Sequence, residues 1–275
     1  MKKFAALILA CAMAVSIAAC SPSQTPGSNP DPVSTSNPSS NPNPADPAPE
    51  EELGMDLSKY KYTDISHLQE ANMPVDPALQ LPQSDFFGRI GVNGGLHNLE
   101  VLSYCVHTGT HMDAPFHVIP DAGGVDTVDP LILIGPACVV RLDVSGSYGI
   151  TVEDMKAWEN EHGEIEAGEA VLIDTPHDAL WTSDPQEYIT NYPYLLPETA
   201  EYLADKKVRF VGVEAISPDT DTTESHIALL GKGIGVVENL CNLSEIKADR
   251  CYTIGTFPNS QGSTGVWTRI LAFYR

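Results

Sequence analysis

The chain has 275 residues and a formal net charge of −22, and 42% of its residues are hydrophobic. That is enough apolar material for a packed core. The acidic balance argues against a nucleic-acid partner and against docking on anionic lipid, because both present negative charge to it.

Residues 1–19 read as a signal peptide. Lys2 and Lys3 precede an apolar run from Phe4 to Ala19, interrupted only by Ser16. The run is too short and too rich in small residues to span a bilayer well. It ends in Ile17-Ala18-Ala19-Cys20, which resembles a bacterial lipobox, so Cys20 is the expected lipidation site. Residues 20–52 are mostly Pro, Ser, Asn, Asp and Gly. Such a segment cannot bury enough surface to offset its ordering entropy and reads as a disordered, lipid-anchored linker. The expected location is extracytoplasmic, on a bacterial cell membrane. Residues 53–275 then form one domain.

Within that domain, β-branched apolar stretches predict strands over Leu99 to Val106, Ala137 to Val144, Ala170 to Asp174, Val208 to Val213, Ile234 to Glu238, Cys251 to Phe257 and Val266 to Tyr274. Thr151 opens a helix, with Asp154 three residues on as an approximate capping box. Pro197 suits a first helical turn, and Glu198 to Lys207 follow with acids early and lysines late. A third helix is expected from about Thr222 to Leu230. Strands and helices mix without strict alternation, which predicts an α/β fold other than a plain barrel or a doubly wound sheet. Cys105, Cys138, Cys241 and Cys251 have no metal-finger spacing. Buried thiols are the default, and any disulfide pairing among them stays open.

The most informative stretch is His107-Thr-Gly-Thr-His111-Met-Asp113-Ala-Pro-Phe-His117. Its three histidines and one aspartate all occupy odd positions and would share one face of an extended chain. A straight strand would spread them over roughly 33 Å, at about 3.3 Å per residue. Metal–ligand bonds are about 2 Å, so one ion could not be shared over that length. The chain must curl, and Gly109 and Pro115 are the residues that permit it. His107 is therefore expected at a strand end and the rest on a tight loop. Clustered imidazole and carboxylate point to a divalent metal.

This motif, His-x-Gly-Thr-His-x-Asp-x-Pro-x-His, resembles that of the metal-dependent cyclase family, which includes bacterial kynurenine formamidases and isatin hydrolases. Glu214-Ala-Ile-Ser-Pro-Asp219, Ser225-His226 and Gly233-Ile-Gly-Val-Val-Glu238-Asn-Leu240 resemble a second family block, and Asp64-Ile-Ser66 with Met73-Pro74-Val75 resembles its opening segment. The resemblance implies that His107, His111 and Asp113 ligate one metal. Asp113 and Glu238 would bridge to a second, which His226 completes, and His117 would be the catalytic acid/base. Zinc suits such a site, with manganese the alternative and one or two ions bound. The implied fold is the swivelling β/β/α type, a mixed β-sheet curled toward a barrel with outer helices. A homo-oligomer, a dimer or larger, is expected.

The implied activity is hydrolysis of an amide, lactam or lactone bond of a small molecule through metal-activated water. Kynurenine formamidases carry a Trp after the Met-Pro-Val-like run, whereas Asp76 follows Val75 here. Trp181, Phe86 and Phe87 are the aromatic residues available for a substrate wall. His67 and His97 could line the pocket mouth, His162 reads as a surface residue, and His177 has no assigned role. The rival reading is a non-catalytic extracellular lipoprotein that binds metal or solute, and His117 separates the two. A binder has no need of an imidazole just beyond the ligands, whereas a hydrolase needs a proton carrier there. A cyclase or dehydratase using the same site is a third reading.

Overall fold

The structure, a computed structural model, describes residues 56–275. The signal segment, Cys20 and the linker therefore lie outside the described residues. In chain order the elements are β1 (Lys61–Asp64), β2 (Gln83–Gly88), β3 (Leu99–Ser103), β4 (His111–Asp113), β5 (Gly135–Arg141), β6 (Gly149–Ile150), α1 (Val152–His162), β7 (Ala170–Asp174), α2 (Leu180–Ser183), α3 (Pro185–Thr190), β8 (Tyr194–Leu195), α4 (Pro197–Asp205), β9 (Phe210–Val213), α5 (Glu224–Leu230), β10 (Gly235–Glu238), β11 (Arg250–Thr256), β12 (Gly265–Trp267) and β13 (Arg269–Tyr274).

Nine strands form one sheet in the order β1-β13-β11-β5-β7-β9-β10-β4-β12. The middle four, β5, β7, β9 and β10, run parallel, and the flanking strands are antiparallel. β12 closes one edge and β13 lies next to the other, yet Thr268 alone joins them in the chain. The sheet must therefore curl until its ends meet. Thr268 ties the seam: its N–H donates to the Thr110 carbonyl (3.2 Å) and its hydroxyl to the Thr256 carbonyl (2.9 Å). The expected single strand from Val266 to Tyr274 is thus two strands, broken where the chain crosses the seam.

The parallel strands are apolar on both faces, as burial on both sides requires. Met112, Val139, Leu172, Phe210 and Val237 point into the curl, together with Ile65, Leu133, Ile270 and Ala272. Val140, Val171, Ile173, Val211 and Val236 point outward and are covered by α1, α4 and α5 through Met155, Trp158, Leu203, Leu229 and Leu230. Thr151 caps α1 as the sequence predicts. Its Oγ1 accepts the Asp154 N–H (3.1 Å), and the Asp154 carboxylate accepts the Thr151 N–H (2.8 Å). Pro197 opens α4. All four cysteines are free thiols, so no disulfide forms among the described residues, and burial pushes Cys138, Cys241 and Cys251 up to about 12.

Candidate metal centre

The expected loop after His107 is in part a strand. His111–Asp113 forms β4, held between β10 and β12. Gly109 makes the turn that leads into it, at φ +61°, and a Cβ there would sit 2.3 Å from the Gln69 amide. His111 and Asp113, two residues apart, share one face, and register sets Glu238 opposite His111 on that face. α5 covers the same face and carries His226. His107 enters from the turn before β4, and His117 ends the 3₁₀ turn Pro115–His117 beyond it. Pro115 fits that first position because its missing N–H is not needed there.

The five groups converge closely. His107 Nδ1 is 2.8 Å and His111 Nε2 3.3 Å from Asp113 Oδ1. His226 Nε2 is 3.3 Å from the other oxygen, Asp113 Oδ2. Glu238 divides its oxygens in the same way, with Oε2 3.2 Å from His111 Nε2 and Oε1 3.1 Å from His226 Nε2. Each carboxylate thus offers one oxygen to the His111 side and the other to the His226 side. His117 stacks on His107 with ring centroids 3.9 Å apart and meets His226 edge-on at 5.4 Å. His117, His107 and Asp113 also offer ligand atoms within 4.8 Å of one another, as do His111, Asp113 and Glu238.

The charge state of this cluster calls for a cation. His111 Nε2 and both Asp113 oxygens are buried and lack a hydrogen bond, despite their short approaches to neighbours. Buried polar groups without partners are costly, and lone pairs aimed at a common point are what a metal ion uses. Burial alone would depress His111, but Asp113 and Glu238 push it up to about 10. His226 likewise rises to about 12 against burial, through Asp113, Asp219 and Glu238. The same imidazoles, with burial opposing them, hold Asp113 well below the usual carboxylate range. The pull of these carboxylates on protons is the pull a divalent cation would satisfy in their place. The residues therefore fit a divalent metal.

Outer partners set the ring orientations. His111 Nδ1 donates to the Gly109 carbonyl (2.8 Å), leaving Nε2 to face the cluster. That carbonyl is held in turn by Asn239 Nδ2 (3.1 Å), whose Oδ1 accepts from the Tyr188 hydroxyl (3.0 Å). His226 Nδ1 lies 2.7 Å from Asp219 Oδ2, and Asp219 also accepts the N–H groups of Ser225 and His226 at the start of α5. His107 Nε2 is 2.9 Å from Thr264 Oγ1. Gly265 passes beneath this ring, and a Cβ there would stand 2.7 Å from His107 Cε1.

A cleft of about 350 Å³ opens onto the cluster. It is lined by His107, His117, His226 and Glu238 together with Val75, Asp76, Tyr192, Ile216, Thr220 and Asn239, and among the described residues by no lysine or arginine. It lies at the C-terminal end of β10, where parallel strands in α/β sheets usually present their sites. A larger groove of about 740 Å³, lined in part by Arg209 and Lys232, sits at the opposite ends of β9 and β10, away from the cluster. Burial and its neighbours His107 and His226 lower the His117 imidazole, with Asp113 and Glu238 opposing.

The remaining expected residues lie elsewhere. Trp181 is buried, stacked on His67 at 3.7 Å and packed with Met73 and Tyr188. Phe86 and Phe87 are exposed on β2, outside the nine-stranded sheet. None of the three lines the cleft. His67 borders a neighbouring cavity and His97 is exposed. His177 is buried against Tyr188, and His162 pairs with Asp249 at the end of α1. Sequence reasoning assigned no role to Asp219, Asn239 or Thr264. Asp219 and Asn239 lie within the second block, but no spacing rule singles out an orienting residue.

Comparison with known proteins gives a consistent picture. The model of the Cyclase family ("Putative cyclase") matches residues 60–220. A kynurenine formamidase of Bacillus cytotoxicus is 32% identical over 149 residues, covering 53% of this chain and 66% of its own. An isatin hydrolase of Roseibium aggregatum is 30% identical over 187 residues, covering 60% of this chain and 71% of its own. The chain thus spans about two thirds of the length of these relatives. Among solved structures, an isatin hydrolase bound to the product analogue thioisatinate superposes with a TM-score of 0.72 at 25% identity, covering 79% of this chain and 93% of that one. A potential metal-dependent hydrolase with cyclase activity superposes with a TM-score of 0.64, also at 25% identity, covering 78% of this chain and 98% of that one.

Proposed function

The chain belongs to the cyclase family, and from that premise we propose that it is a metal-dependent hydrolase of a C–N amide or lactam bond, or a lactone, in a small molecule. One observation carries the reading. Three imidazoles and two carboxylates converge at the base of a cleft, with His111 Nε2 and both Asp113 oxygens buried and unbonded. In this reading His107, His111 and Asp113 would hold one ion and His226 a second, with Asp113 and Glu238 within reach of both. The split of each carboxylate between the His111 and His226 sides supports two positions. The mixture of imidazole and carboxylate favours zinc, with manganese the alternative.

A divalent ion held there supplies Lewis acidity, lowering the pKa of water to about 7 and polarising a carbonyl oxygen. The chain's own residues do the rest. Asp219, Gly109 and Thr264 fix the three imidazoles, so no reorganisation is needed when substrate enters. His117 is the proton carrier for the leaving nitrogen or oxygen, because it is the one imidazole of the cluster on the exposed side of the cleft. Val75, Ile216 and Tyr192 bound the substrate space.

The location is proposed from sequence alone: acylated Cys20 and the segment to residue 52 would tether the domain outside the cytoplasm. Among the described residues no helix is long and apolar enough to cross a membrane. The test of function is elemental analysis joined to a turnover screen of formamides, lactams and lactones, before and after chelation and metal return. Turnover that vanishes on chelation and returns with zinc or manganese is expected. Bound metal with no turnover on any substrate would instead favour the binding lipoprotein.

A further inference from the structure

Most acids around the cleft already face a partner. Asp113 and Glu238 at its base meet the imidazoles and the proposed ions, and Asp219 is taken up by His226. Asp76, on the rim, is different. Its Oδ1 accepts the Ala78 N–H (2.8 Å), and its second oxygen meets no donor or cation among the described residues. None of their lysines and arginines lines the cleft to balance it. The carboxylate is nevertheless held in place. Asp76 and Pro77 open a turn that the Leu79 N–H closes on the Asp76 carbonyl (2.8 Å), and Asp followed by Pro suits such a turn.

The same wall carries an aromatic ring. The outer hairpin of β2 and β3 keeps Phe86 and Phe87 away, so among the described residues Tyr192 is the one phenylalanine, tyrosine or tryptophan that lines the cleft. Its hydroxyl donates to the Asp219 carbonyl (3.1 Å), which fixes the ring. Burial first, then Glu238, Asp76, Asp219 and Asp221, push the Tyr192 phenol up to about 12, so four carboxylates surround this ring. Val75, Leu79 and Ile216 supply the apolar part of the lining.

From this arrangement, and resting on the hydrolase reading above, we infer that the substrate is cationic: a small amide, lactam or lactone that bears an ammonium group and no free carboxylate. The ammonium is held at the rim by Asp76 and the Tyr192 ring, and the bond to be cleaved lies at the base. Both partners suit it, since a carboxylate attracts a cation and so does the face of an aromatic ring. A neutral group at that place would strip water from Asp76 without replacing it. A carboxylate there would face Asp76 with no counter-charge nearby. The net charge of −22 draws a cation toward the chain as well.

The test uses the full chain as purified and three formanilides that differ only in the para substituent: trimethylammoniomethyl, its uncharged isostere neopentyl, and carboxymethyl. The same three groups are placed on any lactam or lactone that the screen returns. The ammonium member should exceed the neopentyl member in kcat/KM by about five- to thirtyfold, the combined worth of an exposed ion pair and a cation–π contact. That advantage should shrink as salt rises, and the carboxymethyl member should be poorest. Asp76→Asn keeps an oxygen for the Ala78 N–H but removes the charge, and should cut the advantage to about twofold or less. Asp205→Asn, away from the cleft, should preserve it. A neutral or carboxylate member turned over best, or an advantage indifferent to Asp76→Asn, would overturn the inference. Ligand-observed NMR with choline and its uncharged carbon isostere separates binding from turnover. If nothing in the screen turns over, the hydrolase reading fails, and choline bound in preference to its isostere, with the preference lost in Asp76→Asn, still upholds the cation site. Absence of that preference overturns it.

Discussion

Asp219→Asn isolates the support beneath His226 while leaving every proposed metal ligand in place. The wild-type carboxylate is buried and takes three donors: the Ser225 N–H on Oδ1 at 2.9 Å, and the His226 N–H and ring Nδ1 on Oδ2 at 3.0 and 2.7 Å. An amide of the same shape has only one acceptor oxygen. Either orientation sets its NH₂ against at least one of these buried donors, at a cost of about 1–3 kcal/mol. The imidazole also loses the partner that aims Nε2 at Asp113 and Glu238. Removing such an outer partner weakens metal binding by roughly ten- to a hundredfold. Competition against a chromophoric chelator should show that loss, with His226 released first. The exposed carboxylate in Asp205→Asn, paired only with Lys232, serves as a control expected to leave affinity unchanged. Hydrogen bonds from His226 and the α5 amides hold the Asp219 carboxyl below its ordinary value against the opposing effect of burial. Its stabilising contribution is therefore present above the unfolded pKa of about 4 and lost as pH falls through the lower folded value. In metal-free protein the Tm gap between wild type and Asp219→Asn should persist down to about pH 4 and close below it. Metal affinity within twofold of wild type would refute the positioning argument.

His111→Ala removes the proposed ligand between β10 and β12 and should abolish metal at that position and lower Tm, read by elemental analysis and calorimetry; unchanged stoichiometry would remove His111 from the site. N-formylkynurenine should turn over weakly or not at all, because Asp76 borders the cleft, no lysine or arginine among the described residues lines it to receive the substrate's carboxylate, and none of Trp181, Phe86 and Phe87 is there to stack. Efficient hydrolysis of that compound, comparable to a dedicated formamidase, would contradict this. Cys20→Ala should release the protein from the membrane fraction or leave it unprocessed, and wild-type fractionation and maturation would remove the lipid anchor.

Much of the centre was legible because its chemistry is local in sequence. His107, His111, Asp113 and His117 fall within eleven residues, and Gly109 and Pro115 mark the turns between them. The structure departs from that reading at His111–Asp113. A three-residue strand between two partners leaves no periodic signal of its own, since its conformation is set by β10 and β12. Thr268 is illegible for a similar reason: a single residue crosses the seam, and nothing in Val266 to Tyr274 interrupts the strand pattern. The capping box at Thr151 and the first-turn Pro197 were readable because both act within a few residues. Asp219 and Thr264 orient histidines across 7 and 157 positions of sequence, and Asn239 holds the Gly109 carbonyl beneath His111 across 130; only the fold brings them there. The aromatic residues Trp181, Phe86 and Phe87 show the limit of composition. They were available to line a pocket, but one is packed into a small apolar cluster and two stand on the outer hairpin.

His117 is the proposed proton carrier that makes this centre a hydrolase and not a binding site. It stacks on His107 from the open side of the cleft, and its ligand atom lies close enough to His107 and Asp113 to be mistaken for a ligand. Metal content and kcat/KM of His117→Ala, measured on a substrate found by the turnover screen, separate the roles. A proton carrier at this position gives full metal occupancy in the variant and a loss of about a hundred- to ten-thousandfold in turnover, the usual worth of general acid–base catalysis. Full occupancy with unimpaired turnover would contradict it, and loss of metal together with activity would make His117 a ligand.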